Sequence, residues 1–440
     1  MLSAEFLSVM NCMIPVGQLR TLCEYYAPRP RSARKLSSEQ LISGLVFHQL
    51  QAGGTLADHS AQLHGIRMSD SAYAQRRQHL PAELFEQIMD QALQPLADPM
   101  HQPECFFEGY RLVGIDGTQW SVSNTPAIVS ALPKAASRRM QAAFAKLRLV
   151  SVVELGTHAP LAALAAPVSE SEQALAVKLW EKVPEHSLLI ADRLFGTALT
   201  LWQALNTWQD RDITLLVRIR DNIKVEVKQR LSDGSALVEV PVRDEEGRVI
   251  THLQVREIRA SGLALNGKRF TLRLWTTLLD PNRYPAETLA RHYAERWEHE
   301  LYYRELKLDV RSAPILASHT VETALQEIAA LVLASAVLAH LRVRAAQQLK
   351  VPPSRMSFFK LMLATQQLWT TFALMGQILT TAQRQHAFEQ YMDTVRHTAV
   401  LPERRDRSCP RVLRQPVSSW PRKTNQKSHT GNVKIKLVPI

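Results

Sequence analysis

Cysteine is scarce. The 440 residues hold four, Cys12, Cys23, Cys105 and Cys409, with no CxxC pair and no Cys/His spacing of a zinc site. That is too few for a disulfide framework, so free thiols in a reducing compartment are expected. The N-terminal residues MLSAEFLSVMNCMIPVGQLR lack a basic leader ahead of an apolar run, so no secretory signal is expected. The most apolar run, residues 328–339, is too short to span a bilayer and reads as a buried helix. No repeat period stands out, which sets solenoids aside. An aromatic-rich sugar cleft is also missing, which argues against a two-carboxylate glycosidase.

What is present is a globular composition, 46% hydrophobic and 21% charged, with room for two or three domains. Fifty-three Lys and Arg against 41 Asp and Glu give a net charge of +12, and a polyanion is the simplest partner.

Residues 284–311, YPAETLARHYAERWEHELYYRELKLDVR, carry the densest pattern. Pro285 suits a first helical turn, Glu287 favours an N-terminus, and no Gly or later Pro interrupts the run, so one long helix is expected. At about 100° per residue, Ala290, Ala294, Trp297, Leu301 and Leu308 form an apolar stripe. Tyr293, Arg296, Glu300 and Lys307 share the flank beside it. Glu295, Glu298 and Glu305 fall elsewhere, where solvent is expected to take them. Only Glu300 joins that flank to basic neighbours.

Two upstream stretches also carry acids. In FFEGYRLVGIDGTQWSVSNTP, a buried strand over 106–115 is expected to deliver Asp116 at its end, with Gly117 as the permissive residue before a second strand. Residues 147–155 and 161–168 read as a hairpin and 170–182 as a helix. In SLLIADRLFGTALTLWQAL, a short strand ends at Asp192 and a helix starts at Thr197. Chemistry gathers at strand ends in open sheets, so Asp116 and Asp192 are expected to be neighbours. Residues 224–278 alternate in the strand manner with turns at Asp233-Gly234, Glu246-Gly247 and Asn266-Gly267, a β-rich insertion.

The spacing Tyr293-x2-Arg296-x3-Glu300-x6-Lys307 resembles the Y-R-E-K signature of bacterial insertion-sequence transposases of the IS-four family. DGTQWSVSNTP and ADRLFG resemble the family's first- and second-acid motifs, the latter with Leu194 where Gly is commoner. The resemblance implies an α/β fold: a ribonuclease-H-like catalytic core, a mixed sheet flanked by helices, with a β-rich insertion and helical N- and C-terminal regions. It implies a DDE site in which Asp116, Asp192 and Glu300 hold two Mg²⁺ ions, with Mn²⁺ able to substitute, Asp116 bridging both. The reaction implied is cleavage at the terminal inverted repeats of the element and joining of the 3′-hydroxyls to target DNA, with two ends brought together by a homodimer. Trp275 is the candidate for stacking on a flipped base. Arg193 belongs to the second-acid motif and, with Tyr293, Arg296 and Lys307, is expected to contact DNA. Two alternatives stay open: a ribonuclease-H-like nuclease or resolvase that does not join, and an inactive end-binding protein.

The domains read as 1–100, helical and DNA-binding; 101–345, catalytic, with the insertion at 222–280; 346–400, helical; and 401–440, a basic tail. Helices over 55–64 and 70–80 about a glycine turn fit a helix-turn-helix whose Arg76 and Arg77 face DNA, or equally an ordinary helical domain with a solvated basic face. From Glu403 to Lys436 ten Lys or Arg stand against two acids, a local +8, expected to be disordered and to bind phosphates or merely to solubilise. The location implied is the cytoplasm, at the nucleoid, with no membrane partner.

Overall fold

Helix starts follow their caps. Ser37 and Gln40 form a capping box, as do Thr55 and Asp58, and Thr320 and Thr323, while Ser69, Ser171 and Thr197 each accept one main-chain N–H. The computed structural model describes residues 2–27, 36–134, 142–263, 267, 269–311, 313–375, 378–402, 407–408, 429–430 and 434–437. In chain order the elements are α1 (Leu2–Met13), α2 (Val16–Tyr26), α3 (Ser38–Gln49), α4 (Leu56–His64), α5 (Asp70–Arg77), α6 (Ala82–Ala92), β1 (Phe106–Phe107), β2 (Tyr110–Val122), α7 (Pro126–Ala131), β3 (Lys146–Glu154), β4 (Ala159–Pro167) and α8 (Glu172–Leu179). There follow β5 (Ser187–Ala191), α9 (Ala198–Thr207), β6 (Ile213–Arg218), β7 (Glu226–Arg230), β8 (Ala236–Arg243), β9 (Val249–Leu263), β10 (Arg269–Thr276), α10 (Ala286–His292) and α11 (Trp297–Arg304). The last are β11 (Ile315–Leu316), α12 (Val321–Leu349), α13 (Phe358–Met375), α14 (Thr381–Thr398) and the short strands β12 (Arg407–Ser408), β13 (His429–Thr430) and β14 (Lys434–Leu437).

The chain divides into two units, Met1–Ser187 with Trp297–Val400, and Leu188–Arg296 with Leu401–Ile440. In the first, β4, β3 and β2 run antiparallel in that order, β1 folds back on β2, and β11 adds a parallel pair at Ser121 and Val122. Helix α12 covers β4 and also packs on α3 and α6. It is long and apolar enough to cross a membrane, but 89% of its most apolar window is buried inside the protein. In the second unit the strand order is β5-β6-β10-β9-β8-β7, with β14 antiparallel to β9. This is the α/β class expected, a mixed sheet flanked by helices with a β-rich segment.

Three expectations change here. The boundary drawn at residue 100 does not separate two cores, because Phe6, Leu45 and Phe85 share one cluster with Trp120, Leu147 and Leu331. Most of the basic tail lies outside the described residues, and Lys434–Leu437 within it forms a strand. Arg77 is part-buried and its guanidinium is engaged within the protein: its Nε donates to Gln326 Oε1 at 3.0 Å, and its Nη2 donates to Ser318 Oγ at 3.0 Å and to the Thr323 carbonyl. Arg76 donates to the Leu36 carbonyl. Both arginines are thus engaged inside the protein.

Arg77→Ala therefore leaves Gln326 Oε1 without its donor and should cost about 2–3 kcal/mol, read as a lower urea midpoint at unchanged slope. An unaltered midpoint with weakened DNA binding would return Arg77 to the DNA-facing role.

Candidate active site

Strand β2 passes through Asp116 without a break, since β3 matches it from Val113 opposite Glu154 to Ser121 opposite Lys146. Asp116 therefore stands in mid-strand, directly opposite Ser151, and not at a strand end as its glycine neighbour suggested. It is part-buried, and its Oδ1 accepts the Gly117 N–H at 2.8 Å. Gly117 serves close approach and not a turn. A Cβ there would lie 2.6 Å from the carboxyl carbon of Glu172, the first residue of α8. Glu172 pairs at 3.5 Å with Arg148 Nε on β3. The sequence reading passed over Glu172, although a glycine after a strand aspartate was the available signal.

The expected long helix is segmented: α10, a 3₁₀ turn at Tyr293–Arg296, α11, then a π-helical turn at Glu305–Val310. No Gly or Pro marks these changes of pitch. The stripe and flank drawn for a uniform helix accordingly dissolve. Trp297 and Leu308, placed on the apolar stripe, are 55% and 61% exposed, while Glu305, placed in solvent, is 7% exposed. Glu300 is part-buried on α11. Lys307, in the π-helical turn, donates to Thr118 Oγ1 and to the Gln119 carbonyl at 3.0 Å, and lies 5.5 Å over the Trp120 ring. Within the first unit, then, Lys307 reaches the strand just past Asp116. Burial, helped by Lys146, pulls its ammonium pKa down.

In the second unit Asp192 follows β5, with its Oδ1 accepting the Leu194 N–H at 2.7 Å. Gly196 is needed for close approach, as a Cβ there would sit 2.2 Å from the Arg218 carbonyl. Tyr293 is buried, and its phenol is pushed up to about 12, chiefly by burial and against the charges of Arg296 and Arg218, with Asp192 adding to the rise. Those four groups are close enough to feel one another. Arg218, at the end of β6, was not singled out from sequence. Arg193 is exposed. Trp275, the stacking candidate, is fully buried, and its Nε1–H donates to Glu257 Oε2 at 2.9 Å; neither ring face is open to a base.

The profile of the family described as Transposase DDE domain matches residues 108–335. The chain belongs to the DDE transposase family. It is 26% identical over 363 residues to the transposase InsG for insertion sequence element IS4 of Escherichia coli K12, covering 80% of this chain and 78% of that one. A putative transposase of the same strain, InsZ, is 30% identical over 129 residues, 29% of this chain and 43% of that one. Among solved structures, a piggyBac transposase synaptic complex with hairpin DNA superposes with a TM-score of 0.47 and 9% identity, covering 90% of this chain and 85% of that one. The matched region contains Asp116, Asp192, Tyr293, Arg296, Glu300 and Lys307. This transposase is of the IS-four type.

Among the described residues no group of three or more His, Cys, Asp or Glu side chains is placed to hold one metal ion. The donor chemistry nonetheless suits a hard divalent cation. Asp116, Asp192 and Glu300 are part-buried carboxylates, two of them oriented by main-chain N–H groups, and Mg²⁺ takes oxygen ligands while keeping waters.

The same stretch of chain, through Glu298 and Glu305, joins a buried ionic cluster. His158, at the β3–β4 turn with φ 58°, meets Glu305 Oε2 at 2.7 Å through Nδ1 and Glu298 Oε2 at 3.0 Å through Nε2. Arg342 of α12 donates to Glu305 Oε1 at 2.9 Å and to the Met356 carbonyl at 2.9 Å. Burial alone would raise the Glu305 pKa, but Arg342 and His158 outweigh it and hold it down to about 2. Burial likewise disfavours charged His158, and the glutamates outweigh that, so its pKa is raised. Stability from Glu305 is therefore present above its unfolded pKa near 4.5 and lost as pH falls toward 2. Stability from His158 is complete below its unfolded pKa near 6.5 and lost as pH rises through the raised folded value. The cluster should contribute most between about pH 4.5 and 6.5, and His158→Gln should flatten the alkaline side of a stability–pH profile. An alkaline limb identical in the variant would show that His158 is not the titrating group.

Proposed function

We propose that this transposase cleaves the ends of its own insertion sequence and joins the freed 3′-hydroxyls to target DNA by metal-dependent phosphoryl transfer. One observation carries the reading: Asp116, Asp192 and the full Tyr293-x2-Arg296-x3-Glu300-x6-Lys307 spacing all fall inside the region that matches the DDE domain.

Asp116, Asp192 and Glu300 would hold the metal ions. A bound divalent ion supplies Lewis acidity, lowering the pKa of an attacking water or 3′-hydroxyl and neutralising charge on the departing oxygen. The chain's own part is binding and orientation. The Gly117 and Leu194 N–H groups set the planes of the two aspartates. Arg296 and Arg193 would take DNA phosphates, Arg being suited to bidentate contact, and Arg218 adds positive charge near Tyr293. With its phenol pKa near 12, Tyr293 keeps its proton at neutral pH and would act as a hydrogen-bond donor. Lys307, held against β2, would offset negative charge beside Asp116. Because nicking and strand transfer each exchange one oxygen for another at phosphorus, one site would serve both. Two ends must meet, so the working form would be at least a homodimer.

The test is a gel assay with purified protein, Mg²⁺ or Mn²⁺, and a supercoiled plasmid carrying the inverted repeats that flank the gene. Wild type should nick at the repeat ends and then give joined products. Asp116→Ala and Glu300→Ala should each lower cleavage by on the order of 10³-fold or more while binding the ends normally. Cutting without joining would favour a nuclease or resolvase, and end binding without cutting an inactive end-binding protein.

A further inference from the structure

We infer that Tyr303 is a positioning residue for the metal-binding carboxylates, acting through a buried hydrogen-bond chain that ties the Glu300 helix to the Asp116 strand. The inference rests on the carboxylate reading given above and goes beyond the residues of the family signature.

The order of donors in the chain follows from what each group can give. Tyr303 Oη lies 2.6 Å from the Asp116 carbonyl, which can only accept, so the phenol proton points there. The phenol oxygen then accepts from Ser151 Oγ at 2.9 Å. Ser151 has one hydroxyl proton, so its 3.0 Å contact with His299 Nε2 requires the imidazole to donate. The sequence of donors is His299, Ser151, Tyr303, Asp116. Ser151 and His299 are fully buried and Tyr303 is 6% exposed, so the chain works where water does not compete. The His299 and Tyr303 rings also stack, with centroids 4.9 Å apart.

The placement of these residues gives the chain its purpose. His299 precedes Glu300 and Tyr303 follows it by less than one turn, so α11 is gripped on both sides of the third acid. Ser151 is the cross-strand partner of Asp116, and the chain ends on the peptide of Asp116 itself. Two carboxylates from elements far apart in sequence are thereby referred to one fixed point. Burial, reinforced by the charge of Asp116, keeps the phenol protonated and hence a donor. Phenylalanine at 303 would keep the ring contacts and remove only the tie. Outer-sphere groups of this kind commonly change metal affinity about 10–100-fold when removed.

The experiment uses the full chain as wild type, Tyr303→Phe, Ser151→Ala and Asp116→Ala. Mn²⁺ binding is followed by titration calorimetry, with urea unfolding and binding of inverted-repeat DNA measured in parallel. Tyr303→Phe should weaken Mn²⁺ binding about 10–100-fold while end binding stays within about twofold, and Ser151→Ala should move Mn²⁺ binding the same way by less. Mn²⁺ binding that responds to Asp116→Ala but not to Tyr303→Phe overturns the inference alone. Parallel loss of Mn²⁺ binding, end binding and unfolding midpoint in Tyr303→Phe also overturns it, because the residue would then be merely structural. Mn²⁺ binding indifferent to Asp116→Ala overturns the carboxylate reading, and this inference with it.

Discussion

The carboxylate of Glu305, held in the core between His158 and Arg342, is the anchor on which the helix bearing Glu300 depends. Burying such a charge is costly, and removing one partner of a buried pair typically destabilises by about 3–5 kcal/mol. That cost falls on a short, irregular stretch of chain. Helix α11 has eight residues and runs into a π-helical turn, a form common at functional positions and rarely stable without tertiary support. The same turn sends Glu305 and Leu306 inward and Leu308 outward, and brings Lys307 against β2. The stretch bearing Glu300 is thus tied through the charge of Glu305 and the Tyr303 hydroxyl.

Positive charge is divided between structural and surface roles. Arg256 is fully buried, donating to Ser235 Oγ at 2.8 Å and the Tyr284 carbonyl at 2.7 Å and pairing with Asp233; Arg273 grips Glu257 at 2.9 Å; Arg342 holds Glu305. Arg77 joins α5 to the start of α12. Arg256, Arg273 and Arg342 are each matched by an acid, so these joints leave the +12 formal charge to the rest of the chain. Planar guanidinium groups with fixed donors can bridge several carbonyls at once, which explains why arginine fills these joints. Exposed Arg193 and the arginines near Tyr293 are a different population.

Much of the fold could be read from local patterns. Thr197 located one helix start, the strand pattern located the β3–β4 hairpin, and turn glycines separated β7 to β10. The candidate site was legible as motifs and not as geometry. Asp116 was assigned to a strand end because Gly117 follows it, whereas the glycine makes room for Glu172. Trp275 could not be told from a core aromatic, and its indole is satisfied by Glu257 deep in the sheet. Arg218, Ser151 and His299 lie far in sequence from the residues they serve or belong to no periodic pattern, so nothing local marked them.

The sequence by itself determined the α/β class, the residues on which the family's chemistry falls, and most element boundaries, because caps, periodicity and motif spacing act within a few residues. Only the tertiary structure decided that residues 284–311 change pitch twice, that Glu305 is a buried anchor and Arg77 a joint, and that Tyr303 reaches the peptide of Asp116. A helix with neither Gly nor Pro inside it has no local reason to leave α geometry. For the π-helical turn the reason comes from β2, the β3–β4 turn and α12, whose hydrogen bonds and charges outweigh its intrinsic preference.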